Sequence, residues 1–123
     1  MELFSLQEMA EREFPQLVSS AAIIHDKLRL VLRDGSYIDF WWSSQIPGRF
    51  AHHWERRHVD RTIYRHDNMP HPRWQYVPTF PQHFHNGAQA IVQASTLPTE
   101  PRAAIRAFLQ FAQSIIEGSE GCQ

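Results

Sequence analysis

One cysteine in 123 residues, Cys122, leaves the chain without an internal disulfide and without the ligands for a four-cysteine zinc knuckle. No apolar run approaches the roughly 18 residues that a membrane-spanning helix requires, so no membrane partner is expected. The N-terminal stretch MELFSLQEMAEREF is acidic and lacks the basic and apolar regions of a signal peptide. These absences together fit a reducing cytoplasm. There is no internal repeat or low-complexity segment, and the helical metalloprotease pattern H-E-x-x-H does not occur.

What is present reads as a folded domain. Apolar residues make up 42% and charged residues 20%, ordinary proportions for a chain with one core. A single domain is expected over residues 1–117, with GSEGCQ at 118–123 as a flexible tail. The formal net charge of −1 hides an asymmetry. Acidic groups dominate up to residue 48, whereas Arg49, Arg56, Arg57, Arg61, Arg65 and Arg73 face only Glu55, Asp60 and Asp67. Seven of the eight histidines lie between 52 and 85. A cationic centre on a near-neutral chain points to an anionic partner such as RNA, though arginines on exposed strands also serve solubility.

Ser5-Leu-Gln-Glu8 has the form of a capping box, and the helix it opens should run to about Phe14 and stop at Pro15. In AAIIHDKLRLVLRDGSYIDFWW, Leu28, Leu30 and Leu32 alternate with Lys27, Arg29, Val31 and Arg33, the period-two pattern of half-buried strands. Asp34-Gly35 signals a two-residue hairpin loop, and Ile46-Pro47-Gly48 a second turn. RFAHHWERR and RTIYRHDN form another pair around His58-Val59-Asp60. Thr99 can cap a final helix with an apolar face at Ile105, Phe108, Leu109, Ala112, Ile115 and Ile116. The expected fold is α+β: an antiparallel meander of four to six strands, with an N-terminal helix and a C-terminal helix packed on the sheet.

The segment HDNMPHPRWQYVPTFPQHFH, residues 66–85, holds four of the eight histidines and four of the eight prolines. Proline removes backbone donors and extends its neighbours, so this is a stiff path carrying imidazoles. Two chemistries fit it. His83-Phe-His85 puts two rings on one side of an extended chain, and with His71 or His66 could hold zinc or manganese. However, NGAQAIVQ supplies no downstream glutamate for a cupin-like set. Without metal, RNA can be cleaved by its own 2′-OH if a protein supplies a base, an acid and a cation. Histidine suits both proton roles and arginine grips phosphate. Arg65 and Asp67 share a strand face, with His66 opposite. The candidate catalytic set is His71, His83, His85, Arg65 and Asp67, no cofactor being needed. The fallback metal set is His71, His83 and His85. Arg49, Arg56, Arg61, His53, Asn68 and Trp74 are expected to hold substrate, aromatic rings stacking on unpaired bases. Plain structural roles stay open for each: Asp-Asn as turn chemistry, Trp and Tyr as core, histidine bonded to a carbonyl.

LRLVLRDGSYIDF, RHDNMPH and PTFPQHFH, in that order, resemble the TumE-like toxin components of bacterial and archaeal type II toxin–antitoxin pairs. The resemblance runs from about Leu28 to Gly87. On it, Arg65, Asp67, Asn68, Pro70, His71, Phe80, Pro81, His83 and His85 occupy motif positions, and His53 matches a strand histidine. Gln82 stands where a further histidine is usual, and PRWQYV is an unusual linker. The resemblance implies a cytoplasmic toxin neutralised by a cognate antitoxin. Ribonuclease activity is an inference from the residues. A non-enzymatic binding domain and a metal-dependent hydrolase are the rival readings, and homodimerisation is left open.

Overall fold

The computed structural model describes residues 2–121. Helix α1 (Leu3–Glu13) leads into β1 (Val18–Ile24), β2 (Lys27–Leu32), β3 (Tyr37–Trp42) and β4 (Phe50–Arg56). A helical turn, α2 (Arg57–Asp60), joins β4 to β5 (Thr62–Asp67). A 3₁₀ turn at Pro72–Trp74 precedes β6 (His83–Gly87) and β7 (Val92–Ala94), and α3 (Pro101–Glu120) closes the chain. All neighbouring strands pair antiparallel, and the sheet order is β1 through β7 in sequence. The fold is therefore the expected α+β meander, with seven strands rather than four to six. Two local causes raise the number. His25 adopts a left-handed φ of 58°, a conformation that histidine tolerates better than most residues, and so splits the apolar run into β1 and β2. Strand β7 has three residues, too few to show an alternation.

Three expected boundaries move. The N-cap of α1 is Glu2, whose carboxylate accepts the Phe4 N–H, so Ser5 and Glu8 lie inside the helix. Glu100 rather than Thr99 caps α3, accepting from Arg102 N–H and Ala103 N–H, because Pro101 takes the first helical position. The Asp34-Gly35 loop is longer than two residues. Leu32 N–H bonds to Ser36 C=O and Gly35 N–H to Leu32 C=O, with Gly35 at φ 89°, the geometry of a three-residue loop closed by a glycine bulge. Helix α3 also continues to Glu120, into the segment expected to be a tail. Cys122 lies outside the described residues.

Alternation sorts each strand into two faces. Leu28, Leu30, Leu32, Ile38, Phe40 and Trp54 point to one side and are completely or almost completely buried against α1 (Leu6, Met9, Ala10) and α3 (Ala104, Ile105, Phe108, Leu109, Ala112, Ile116). Phe108 meets Phe40, Trp54 and His66 edge-on. Both helices lie on this face, so the residues between the core positions face the other way, across an uncovered sheet surface.

Candidate functional site

Register places the charged residues of that open surface in rows. Across β2 to β6, Arg29 pairs with Asp39, Asp39 with His53, His53 with Arg65, and Arg65 with His85. In the neighbouring row Trp41 pairs with Ala51, Ala51 with Asp67, and Asp67 with His83. The H-x-H spacing thus sets both imidazoles beside the Arg65-x-Asp67 pair of the adjacent strand. The proline-rich path between β5 and β6, which includes a cis Phe80–Pro81 peptide, returns over this corner. Arg65, Asp67, His71, Trp74, His83 and His85 line one depression of about 320 Å³. A second depression of about 480 Å³ adjoins it, with Lys27, Trp41, Glu55 and Arg57 in its wall. His53, Arg65 and Met69 belong to both, so the two make one groove across the open face.

The hydrogen bonds at this corner are directional. His83 Nδ1 lies 2.9 Å from the Pro81 carbonyl and His85 Nδ1 2.9 Å from the Gln89 carbonyl. A carbonyl only accepts, so each ring carries its proton on Nδ1 and turns Nε2 away. Asp67 is buried. Its Oδ2 accepts Arg65 Nε–H at 2.9 Å, and its Oδ1 accepts Met69 N–H at 2.9 Å. The same Oδ1 lies 3.3 Å from His83 Nε2. The Trp74 ring sits 5.7 Å from the His83 ring and 5.6 Å from the His85 ring, roofing the pair. Burial pushes the His85 imidazole below its usual range, with the Gln89 carbonyl opposing and the neighbouring His83 reinforcing that shift. His53 is lowered likewise by burial, against the pull of Glu55. His53 Nδ1 is buried without a hydrogen-bond partner, an uncommitted polar atom in the wall that the two depressions share.

Several residues expected to touch substrate are otherwise engaged. Arg56 is 2% exposed; its guanidinium bonds Asp34 and Asp60 and stacks on Trp54. Its parity on β4 sends it to the helix side, away from the groove. Asn68 is a backbone staple, accepting from Phe50 N–H and donating to Gly48 C=O. Arg61 is exposed but sits in a left-handed turn at the opposite end of β5 from Asp67. Arg49 reaches the groove margin through Met69, 3.4 Å from its sulfur. His71 lines the depression, yet its Nδ1 accepts Arg73 N–H. In the group of three that brings potential ligand atoms within 4.8 Å of one another, Asp67 stands with His83 and His85 where His71 was expected. His66 lies on the helix side, bonded to Ser95, because one residue along a strand reverses the face. The carbonyls of Pro81 and Gln89 escaped sequence reasoning altogether, since an orienting backbone oxygen has no residue signature.

A family model described as Toxin TumE matches residues 5–116. The chain belongs to the TumE toxin family. No curated protein and no solved structure matches. The TumE match reaches from α1 into α3 and so includes the whole sheet, far beyond the motifs that suggested it. A TumE chain is a toxin component, and an antitoxin is its implied partner. No described helix is long and apolar enough to cross a membrane.

Proposed function

We propose that this TumE-family toxin acts on RNA as an endoribonuclease, with His83, His85, Arg65 and Asp67 at the reacting phosphate. One observation carries the reading. Two imidazoles, each fixed through Nδ1 to a backbone carbonyl, line one open depression together with a guanidinium. Single-stranded RNA supplies its own nucleophile. His85 Nε2 takes the proton from a 2′-OH, and the 2′-oxygen attacks phosphorus. The P–O5′ bond breaks, and the 5′-oxygen leaves with the Nε2 proton of His83 in its imidazolium form, whose Nδ1–H stays on the Pro81 carbonyl. The products are a 2′,3′-cyclic phosphate and a 5′-OH. Arg65 has Nε on Asp67, and its terminal nitrogens bind the phosphate as charge develops. Asp67 orients Arg65 and faces the proton that His83 transfers. Trp74 offers an aromatic face for a base, and His71 a further donor at the rim.

The test is cleavage of end-labelled single-stranded RNA by purified protein in excess EDTA, with cyclic-phosphate termini as the readout. His85→Ala should lower the rate by about 10²–10⁴, the usual cost of losing a general base. RNA that is bound but left intact, with or without metal, would return the chain to the non-enzymatic reading.

A further inference from the structure

We infer that Asp67, His83 and His85 bind one divalent transition-metal ion through two imidazole nitrogens and a carboxylate oxygen. The argument begins with the Nδ1 bonds to Pro81 and Gln89. With both Nδ1 atoms donating, a neutral ring has only a lone pair at Nε2. One ligand atom from each of the three residues lies within 4.8 Å of the other two. His83 Nε2 is 3.3 Å from Asp67 Oδ1, and Asp67, His83 and His85 are 4%, 1% and 2% exposed. Arg65 occupies Oδ2, which leaves Oδ1 to converge with the two imidazole lone pairs as a set of buried ligand atoms. Zinc–nitrogen and zinc–oxygen bonds of about 2.0–2.2 Å set ligands on one ion roughly 3–4 Å apart, as the 3.3 Å between His83 Nε2 and Asp67 Oδ1 already is.

The outer shell is in place as well. Metal-bound histidine typically gives its other N–H to a carbonyl or carboxylate, and ligating carboxylates are themselves hydrogen-bonded. All three residues meet this requirement, through Pro81, Gln89, Met69 and Arg65. Arg65 also decides which ion binds. It already offsets much of the Asp67 charge, so affinity rests mainly on the imidazoles. A nitrogen-dominated set favours zinc, cobalt or nickel over magnesium or calcium. The cleft beside the site leaves room for water or substrate on the remaining positions.

A functional consequence rests on the ribonuclease reading, although binding itself does not. An ion on both Nε2 atoms withdraws them from proton transfer. Zinc should therefore silence cleavage, which makes the pair a metal-gated site.

The full chain, freed of metal with a chelator that is then removed, is titrated with Zn²⁺ by calorimetry and with Co²⁺ by visible absorption. The expected result is one ion per chain, with no comparable binding of Mg²⁺. Asp67→Asn and His85→Ala, both checked for folding by circular dichroism, should weaken Zn²⁺ by more than the roughly 10–100-fold that losing an outer-shell partner costs. His71→Ala should bind as the parent does. Absence of saturable binding overturns the site. So does a result in which His71→Ala abolishes binding while Asp67→Asn and His85→Ala retain it. RNA cleavage measured on the same samples separates the two ideas. Inhibition by Zn²⁺ supports the gate, and cleavage that requires Zn²⁺ overturns the gate and the metal-free mechanism while leaving the site. Intact RNA throughout, with binding retained, counts against the ribonuclease reading alone.

Discussion

Arg56 and Arg65 stand on adjacent strands with opposite duties. Arg56 points to the helix side, where its buried guanidinium is held by Asp34 and Asp60. Removing Arg56 takes away a buried guanidinium and its packing on Trp54 and leaves two carboxylates that solvent reaches only in part, a loss solvent screening keeps below that of a fully buried pair. Arg56→Ala should therefore lower the urea midpoint markedly; a midpoint within error of the parent would mean that the carboxylates rehydrate freely. Arg65 is 29% exposed by side chain and lies in the groove. Arg65→Lys should leave the urea midpoint nearly unchanged while slowing RNA cleavage, because lysine keeps the charge and loses the planar fork. The direction at His85 gives a third expectation. Burial holds its imidazole below the usual range, so in its proposed role as general base it stays unprotonated to lower pH. The acid limb of kcat/KM should then fall below pH 6.5, the ordinary histidine value, and should be altered in His85→Ala.

Strands β4, β5 and β6 show how one residue type serves two ends. His53, His83 and His85 face the groove, whereas His52 and His66 face the helices. His52 accepts the Trp41 N–H and packs among Phe40, Trp42 and Phe50. His66 stacks on Phe84 at 4.2 Å. Burial, the largest cause in each, lowers His52 to about 3 and His66 to about 4. Both are neutral in the fold at neutral pH, while the unfolded chain takes up protons below about 6.5. Their contribution is complete above that value and is lost as pH falls toward 4 and then 3. The slope reaches at most about 1.4 kcal/mol per pH unit for each histidine. Urea melts between pH 6.5 and 4 should show this loss, and His66→Gln should reduce the slope. A parallel line for the variant would assign the loss to other groups. On α3, Phe108 meets the three central strands through Phe40, Trp54 and His66, and Phe108→Ala should cost about 3–5 kcal/mol.

At the scale of the whole molecule, the sheet and the helical layer were legible because period two and period 3.6 are written in apolar residues such as Leu28, Leu30, Phe108 and Leu109. The open-face rows could be read only in part. Arg65 and Asp67 share a face by parity, but their meeting with His83 and His85 depends on the β5–β6 register, which a long proline-rich connection sets without a local code. The helix-side place of Arg56 carries no local signal, because its partners come from the β2–β3 loop and α2 and its charge resembles that of the groove arginines. His66 and His85 differ only in parity. Membership of a toxin family brings a prediction at this scale too. Induced expression without an antitoxin should slow growth, and His83→Ala, produced at equal level, should relieve that effect. Equal growth arrest by both proteins would move the harmful surface away from the histidine pair.

The sheet follows chain order, so each strand finds its folded partner in the strand made just before it. Arg65 and Asp67 emerge on β5, but the imidazoles opposite them wait for β6. The helix that covers the apolar face comes last. On the proposed mechanism, a nascent chain lacks the complete site for most of its translation, and a chain cut short before His83 carries the guanidinium and the carboxylate without the imidazoles. On that mechanism, synthesis itself sets the moment at which the site becomes complete.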